Sequence, residues 1–363
     1  MRRVLMLSFA MVLFTMTTLA LPKELEGHKF VDATTLTIIN KAHNDGLPLS
    51  RVDISKFGIP EFAKEYLSHS TGVAVVFKTN SREISAKWFT KKGKNDVTTS
   101  GFFQHGLDLY IREGGKWVFA GVGRPKSYGE YHERMIVSNM AEGEKECLLY
   151  FPMYSKLTSL EIGVEKGATI EAIPSPFEHK ILFVGSSLTH GSAASRPGLA
   201  YVARMGRLLN AETPNIGVGG KCKLDDYFIN IVCATEADAY IFDTFSNPTG
   251  QQVEERLYNF VKRIVEAHPD KPMIFLQTLK YDKTRFDLDY RKFSEGQRSA
   301  AAKGMAKICK EFKNVYFVDP ALYVGDDGEG TSDGIHLNDL GTQRTLDVVM
   351  PKVRKILKRY GIK

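Results

Sequence analysis

Ile181-Leu182-Phe183-Val184-Gly185-Ser186-Ser187-Leu188-Thr189-His190-Gly191 is the stretch that decides the fold. Its first four residues form a short unbroken apolar run, the pattern of a strand buried on both faces. The small residues after it mark a sharp exit from the strand. Similar runs recur at Ala239 to Phe242, Met273 to Leu276 and Val315 to Val318. Between Phe242 and Met273, the residues Val253, Leu257, Phe260, Val261, Ile264 and Val265 fall on one face of a helix of about 3.6 residues per turn. Strand alternating with helix predicts an α/β domain over residues 177–363, a doubly wound parallel sheet of the flavodoxin-like kind. Such sheets bind ligands beyond the carboxyl ends of their strands, so the chemistry is expected in the loops that follow the strands.

Upstream, from about residue 70 to 165, the period changes to two. Ile84, Ala86 and Trp88 alternate with Glu83, Ser85 and Lys87. Leu107, Leu109 and Ile111 alternate before Glu113-Gly114-Gly115-Lys116, and Trp117 and Phe119 alternate after it, which predicts a hairpin. Leu148 to Phe151 and Leu160, Ile162, Val164 supply further short strands. Many half-buried strands with turns between them predict an all-β sandwich, jelly-roll-like, over residues 21–172. Ile173-Pro174-Ser175-Pro176 breaks regular structure and places the domain boundary, because proline lacks the amide donor and restrains its neighbour.

The chain has 363 residues, 43% hydrophobic and 25% charged, an ordinary globular composition long enough for two cores. Met1-Arg2-Arg3, the apolar stretch Val4 to Phe14 and the small residues Thr18 and Ala20 read as a signal peptide over residues 1–20. The apolar part is shorter than the roughly 20 residues a spanning helix needs. The expectation is an exported protein, periplasmic or secreted, with no membrane span once the signal is removed. The formal charge of +7 comes largely from the signal arginines and from Lys352, Arg354, Lys355, Lys358, Arg359 and Lys363, the solvated face of a terminal helix. No nucleic-acid motif accompanies it, so no nucleic-acid partner is expected. Cys147, Cys222, Cys233 and Cys309 show no CxxC pair, which argues against a thiolate metal site; Cys222 and Cys233 are read as buried free thiols. No cofactor and no metal is expected.

Four loop segments carry the candidate chemistry. Gly185 to Gly191 is a small-residue turn that can hold the Ser187 hydroxyl at the crevice with backbone amides pointing inward. In Thr331-Ser332-Asp333-Gly334-Ile335-His336-Leu337, a carboxylate and an imidazole three residues apart can meet on one side of a turn. Asn215-Ile216-Gly217-Val218-Gly219-Gly220 and Asp243-Thr244-Phe245-Ser246-Asn247-Pro248 offer a glycine amide and an asparagine side chain as donors to an oxyanion. Each segment alone also fits a tight turn or a helix cap. Together, after strands of one sheet, they supply a nucleophile, a base, its orienter and the donors that acyl transfer requires.

Taken in their order along the chain, the four segments resemble the blocks of the SGNH hydrolases, also called the GDSL esterases and lipases. The resemblance spans Gly185 to His336. It implies Ser187 as nucleophile with its own amide in the oxyanion hole, Gly220 and Asn247 as the other donors, and Asp333 and His336 as the DxxH pair. Thr189 to Gly198, with Gly106-Leu107-Asp108-Leu109-Tyr110, resembles a two-domain branch in which a β-sandwich precedes the esterase, a branch similar to bacterial carbohydrate esterases. Its implied substrate is a small-molecule or glycan ester, acetyl foremost, hydrolysed through an acyl-enzyme without metal. Two departures stand out: Ser186 occupies the position of the family's aspartate, and the third block lacks the usual glycine beside its asparagine. The α/β-hydrolase elbow GxSxG is excluded by Thr189 at its last glycine. The competing readings are a glycan-binding protein with a silent hydrolase domain and a long-chain lipase. Among other candidates, His190 is read as substrate contact or turn packing. Asp326-Asp327-Gly328-Glu329 is read as a solvated loop, and Asp108 as a strand-edge residue.

Overall fold

A computed structural model describes residues 25–43, 46–91, 99–127, 129–319 and 324–362. The signal-peptide reading of residues 1–20 lies outside them. Among these residues the strands form three sheets. In the first, His28–Asp32, Leu157–Glu165, Ile84–Thr90 and Tyr131–Val137 lie in that order, antiparallel. In the second the order is Ile170–Ala172, Ala74–Thr79, Lys145–Tyr150, Leu107–Glu113 and Lys116–Gly123, with Thr37–Ile39 also paired to Ala74–Thr79. The two sheets meet over Val75, Phe77, Trp88, Leu109, Leu149 and Ile162. Trp88 is fully buried and gives its Nε1 hydrogen to the His105 carbonyl at 2.8 Å, so its one polar atom is satisfied.

The second sheet is covered on its other face as well. Ala74, Val76, Tyr110, Leu148 and Tyr150 point away from the sandwich core and pack with Ala203 of the helix Tyr201–Leu209. That double burial explains why Ala74-Val75-Val76-Phe77 and Leu148-Leu149-Tyr150 are apolar without alternation.

The third sheet is parallel and six-stranded. Across it run an edge made of Ala211–Glu212 and Asn215–Gly217, then His179–Gly185, Ala239–Asp243, Met273–Leu276 and Val315–Val318. Numbered along the chain this is the 2-1-3-4-5 order of a flavodoxin-like sheet. Ile181 and Phe183 face one helical layer, with Met205 and Val353, while Leu182 and Val184 face the other, with Phe228 and Val261. Both faces are therefore dry, and the strands read as continuous apolar runs. The helix Gly250–Ala267 buries Val253, Leu257, Phe260, Val261 and Ile264, and starts at a capping box between Thr249 and Gln252.

One segment leaves the unit to which the sequence reading gave it. Between Thr37–Ile39 and Ala74–Thr79 the chain departs from the sandwich, and Ala42, Val52, Ile59, Ala63 and Leu67 pack with Leu182, Val184, Ile216 and Tyr227 on the parallel sheet. Leu67 belongs to the helix Glu61–Ser68. The apolar residues of this segment follow no period that assigns them to one core or the other.

Asp108 also differs from its reading as an edge residue. Leu107–Glu113 pairs on both sides, and the Asp108 side chain is fully buried. Both of its oxygens accept from Arg196 Nη1, at 2.8 and 2.7 Å, and one also accepts from the Gly198 amide at 2.7 Å. The Arg196 guanidinium lies 4.0 Å from the centre of the Phe119 ring, and that of Arg207 lies 4.0 Å from the Tyr110 ring. Burial pushes the Asp108 carboxyl up against the pull of Arg196. Burial likewise opposes the Arg196 charge, but the carboxylate outweighs it and holds Arg196 above its ordinary value. Three donor contacts on its oxygens favour the ionised carboxyl against that burial. The Gly106 to Tyr110 segment of the sandwich is thereby locked to the loop that follows the Ser187 turn.

Candidate active site

The strand His179–Gly185 and the strand Ala239–Asp243 are neighbours whose onward connections lead to opposite sides of the sheet, and the crevice opens at that switch point. Their ends approach so closely that a Cβ on Gly185 would lie 2.1 Å from Thr189 Oγ1 and 2.5 Å from the Asp243 carbonyl, so only glycine fits there. Ser187 opens the one-turn helix Ser187–His190, with Ser186 at its N-cap accepting from the Leu188 amide at 3.2 Å. Serine at 186 thus supports the turn by hydrogen bonding. A buried carboxyl lies against the same turn: Asp243 accepts from Thr189 Oγ1 at 3.2 Å and from Ser246 Oγ at 3.5 Å. Burial, with no cation beside it among the described residues, pushes this carboxyl up to about 7.

Ser187, His336 and Asp333 come together. Ser187 Oγ is 2.9 Å from His336 Nε2, and His336 Nδ1 is 2.7 Å from Asp333 Oδ2. The other oxygen of Asp333 accepts from the amides of Ile335 (3.0 Å) and His336 (2.8 Å), so the loop itself aims the carboxylate. Burial alone would raise the Asp333 carboxyl, and the His336 amide and ring and the Ile335 amide outweigh it, holding it below the ordinary carboxylate value. With Nδ1 facing a carboxylate, the neutral imidazole carries its proton there and leaves Nε2 as the acceptor for a serine proton.

The two expected donors sit on the same crevice. Gly220 has φ of +66°, a backbone conformation that glycine adopts without strain, and a Cβ on the adjacent Gly219 would lie 3.7 Å from Ser187 Cβ. Asn247 accepts through Oδ1 from the Cys222 amide at 3.1 Å, so its NH₂ is what it presents to the crevice. All four cysteines are free; Cys222 is buried as read, whereas Cys233 is only half-buried and so less covered than expected.

The pocket holds about 420 Å³ and is lined by Ser187, Gly219, Gly220, Asn247 and His336, together with Tyr66, Tyr154, Tyr281 and Tyr290. Sequence reading missed these tyrosines. Tyr66 comes from the excursion and Tyr154 from the segment after Lys145–Tyr150, and an isolated tyrosine carries no local signal of a site. Tyr154 also bonds through its hydroxyl to Ser192 and packs its ring 4.3 Å from that of His190. His190 itself is fully buried, with Nε2 2.7 Å from the Met153 carbonyl and 3.0 Å from Thr71 Oγ1, so it packs in the turn. In the acidic loop, Asp327 makes two bonds of 2.7 Å to the Arg344 guanidinium, which pulls its carboxyl down to about 2, so this loop is pinned as well as solvated.

Residues 178–354 match the model of the GDSL-like lipase/acylhydrolase family, and residues 28–170 match the GxDLY model, the N-terminus of SGNH-hydrolase-type esterases. No curated protein matches the chain. Among solved structures, the chain is similar to one from Bacteroides ovatus ATCC 8483 assigned as a GDSL-like lipase. The two share 39% identity with a TM-score of 0.88, over 91% of this chain and 98% of that one. The salicylyl-acyltransferase SsfX3 from a tetracycline biosynthetic pathway shares the fold at 19% identity and a TM-score of 0.71, over 91% and 98% of the two chains. A family two carbohydrate esterase from Cellvibrio japonicus does so at 13% identity and 0.59, over the same 91% and 98%. At 39% identity with the Bacteroides ovatus structure over most of both chains, the chain belongs to the GDSL-like lipase/acylhydrolase family and is an ester hydrolase.

Proposed function

We propose that this esterase removes short acyl groups, acetyl foremost, from a carbohydrate, using Ser187, His336 and Asp333 as its triad. The observation that carries the reading is the hydrogen-bonded series from Asp333 through His336 to Ser187 Oγ, opening on a pocket that also holds Gly220 and Asn247. Ser187 Oγ attacks the ester carbonyl as His336 Nε2 takes its proton, and the resulting oxyanion receives hydrogen bonds from the Ser187 and Gly220 amides and the Asn247 NH₂. The intermediate collapses to an acyl-enzyme as the bond to the sugar oxygen breaks, and His336 gives its proton to that departing oxygen, which leaves as the sugar hydroxyl. Water, deprotonated by His336, then attacks the acyl carbonyl and releases the acid and the free serine.

A sugar as leaving group is supported by the lining of tyrosines, whose rings and hydroxyls suit a polyhydroxylated ring. It is also supported by a second recess of about 540 Å³ beyond Tyr154, lined by Lys64, Lys91, Ser155 and Lys156. That recess gives a neighbouring sugar room on the sandwich side. Family two carbohydrate esterases share the fold, which is analogy at the level of fold. A long-chain lipase would want a continuous apolar channel, whereas lysine, serine and tyrosine hydroxyl groups stand among the apolar side chains that line these two recesses. Export with loss of residues 1–20 belongs to the same proposal. Among the described residues, no helix is long and apolar enough to cross a membrane.

The test pairs two serines. Ser187→Ala is expected to abolish hydrolysis of 4-nitrophenyl acetate and of acetylated oligosaccharides with the fold intact, while Ser186→Ala keeps most activity. A serine-directed phosphonate should add mass to the peptide containing Ser187, and a chelator should leave the rate unchanged. A dead Ser186→Ala beside an active Ser187→Ala, or activity lost to chelator and restored by a divalent ion, overturns the assignment.

A further inference from the structure

Arg51 lies on the excursion between the two sandwich strands, and its side chain is completely buried. Its Nη1 donates to the carbonyls of Asn215 (2.8 Å) and Gly217 (3.0 Å), and its Nη2 donates to the carbonyl of Tyr66. Those carbonyls belong to the strand end that runs directly into the Gly219-Gly220 turn and to a tyrosine that lines the pocket. Asn215 in turn donates through Nδ2 to the Thr189 carbonyl at 2.6 Å, so the clamped strand end is tied to the Ser187 helix.

Among the described residues, no carboxylate is paired with this guanidinium. The titratable groups around it are Tyr154, His69 and His190. Burial first, and the Arg51 charge second, holds His69 at about 3 and His190 well below its ordinary value, so both rings are neutral. Burying a cation without a counterion is costly, and a neutral side chain of similar size could fill the same space at lower cost. What a neutral side chain lacks is a positive field, and in a buried setting that field is weakly screened. The negative charge that needs such a field is the one that appears on the ester oxygen in the transition state.

We propose that Arg51 is a positioning residue of the esterase: it clamps the end of the strand Asn215–Gly217 beneath the Gly219-Gly220 turn, and its uncompensated charge stabilises the oxyanion formed on Ser187. The inference rests on the reading of Ser187 as nucleophile.

The experiment compares Arg51→Gln, which keeps donors and loses charge, with Arg51→Lys, which keeps charge and loses the forked geometry. With 4-nitrophenyl acetate, Arg51→Gln is expected to lower kcat about tenfold or more with KM within about twofold. It should weaken by a similar factor a boronic acid that forms an anionic adduct on serine. Arg51→Lys should recover most of both. A folded Arg51→Gln with unchanged kcat, or Gln and Lys variants that lose kcat equally, overturns the proposal. If Arg51→Gln does not fold, the guanidinium nitrogen resonances of the wild-type enzyme decide. They should move more on forming the anionic boronate than on forming a neutral sulfonyl adduct, and equal shifts overturn the proposal. Phosphonate labelling at a residue other than Ser187 would bring down the nucleophile assignment and this inference together. Labelled Ser187 with a charge-insensitive kcat brings down this inference alone.

Discussion

Replacing Asp108 by asparagine keeps the shape of the side chain and removes the charge by which the sandwich meets Arg196 on the loop after the Ser187 turn. The wild-type carboxylate is fully buried, and the Arg196 side chain is only 19% exposed. Removing one member of a buried pair leaves the other charge unpaired and commonly costs about 3–5 kcal/mol. Here the Phe119 ring still faces the guanidinium, and a partly desolvated cation–π contact is worth about 1–2 kcal/mol, so the lower end applies. We expect Asp108→Asn to lose about 3 kcal/mol of unfolding free energy, a large share of the roughly 5–15 kcal/mol typical of folded proteins. Urea unfolding followed by far-ultraviolet circular dichroism measures it, with Arg196→Met and the double variant closing a cycle. The coupling between the two positions should be about 2 kcal/mol or more and barely change with salt, because the pair is screened little. A loss below about 1 kcal/mol, or singles whose costs simply add, would show that Asp108 and Arg196 do not hold the halves together.

Asn247→Ala removes an expected oxyanion donor and should lower kcat by about 10²–10³ with little change in KM; parallel loss in both parameters would point to disturbed binding. Asp243 should make stability fall as pH rises. Its folded value of about 7 lies above the unfolded carboxyl, so its contribution is complete below about 3.9 and is lost as pH passes through about 7. Asp243→Asn removes that titration, and its stability relative to wild type should rise by roughly 2–3 kcal/mol between pH 5 and pH 8; a constant difference across that range would refute a carboxyl raised by burial.

The parts of this protein that can be read locally are those whose signal is local. The runs at Ile181, Ala239, Met273 and Val315 are strands because both faces of the sheet are covered, and Asp333 and His336 find each other within one loop. Asp108 shows where alternation stops informing, since a period of two says which face a side chain is on and says nothing about edge or interior. Arg51, Tyr66 and Tyr154 were illegible for a different reason. Their meaning arises from contacts with residues far along the chain, such as the 164-residue separation between Arg51 and Asn215. No composition or spacing near Arg51 announces that partner.

That separation also bears on how the chain reaches its native state. During synthesis the amino-terminal half emerges first, and domains ordinarily fold as units in that order. Here the excursion carrying Ala42, Val52, Ile59, Ala63 and Leu67 has no core of its own to enter until Ile216, Tyr227 and Phe228 exist. Its apolar side chains must wait in a partly formed intermediate, open to other chains. Contacts at such range slow folding, because loop closure comes before any reward from packing. Refolding from denaturant should therefore lose more protein to aggregation as concentration rises. A fragment ending before Tyr201 should be captured by chaperones rather than settle as a free-standing sandwich.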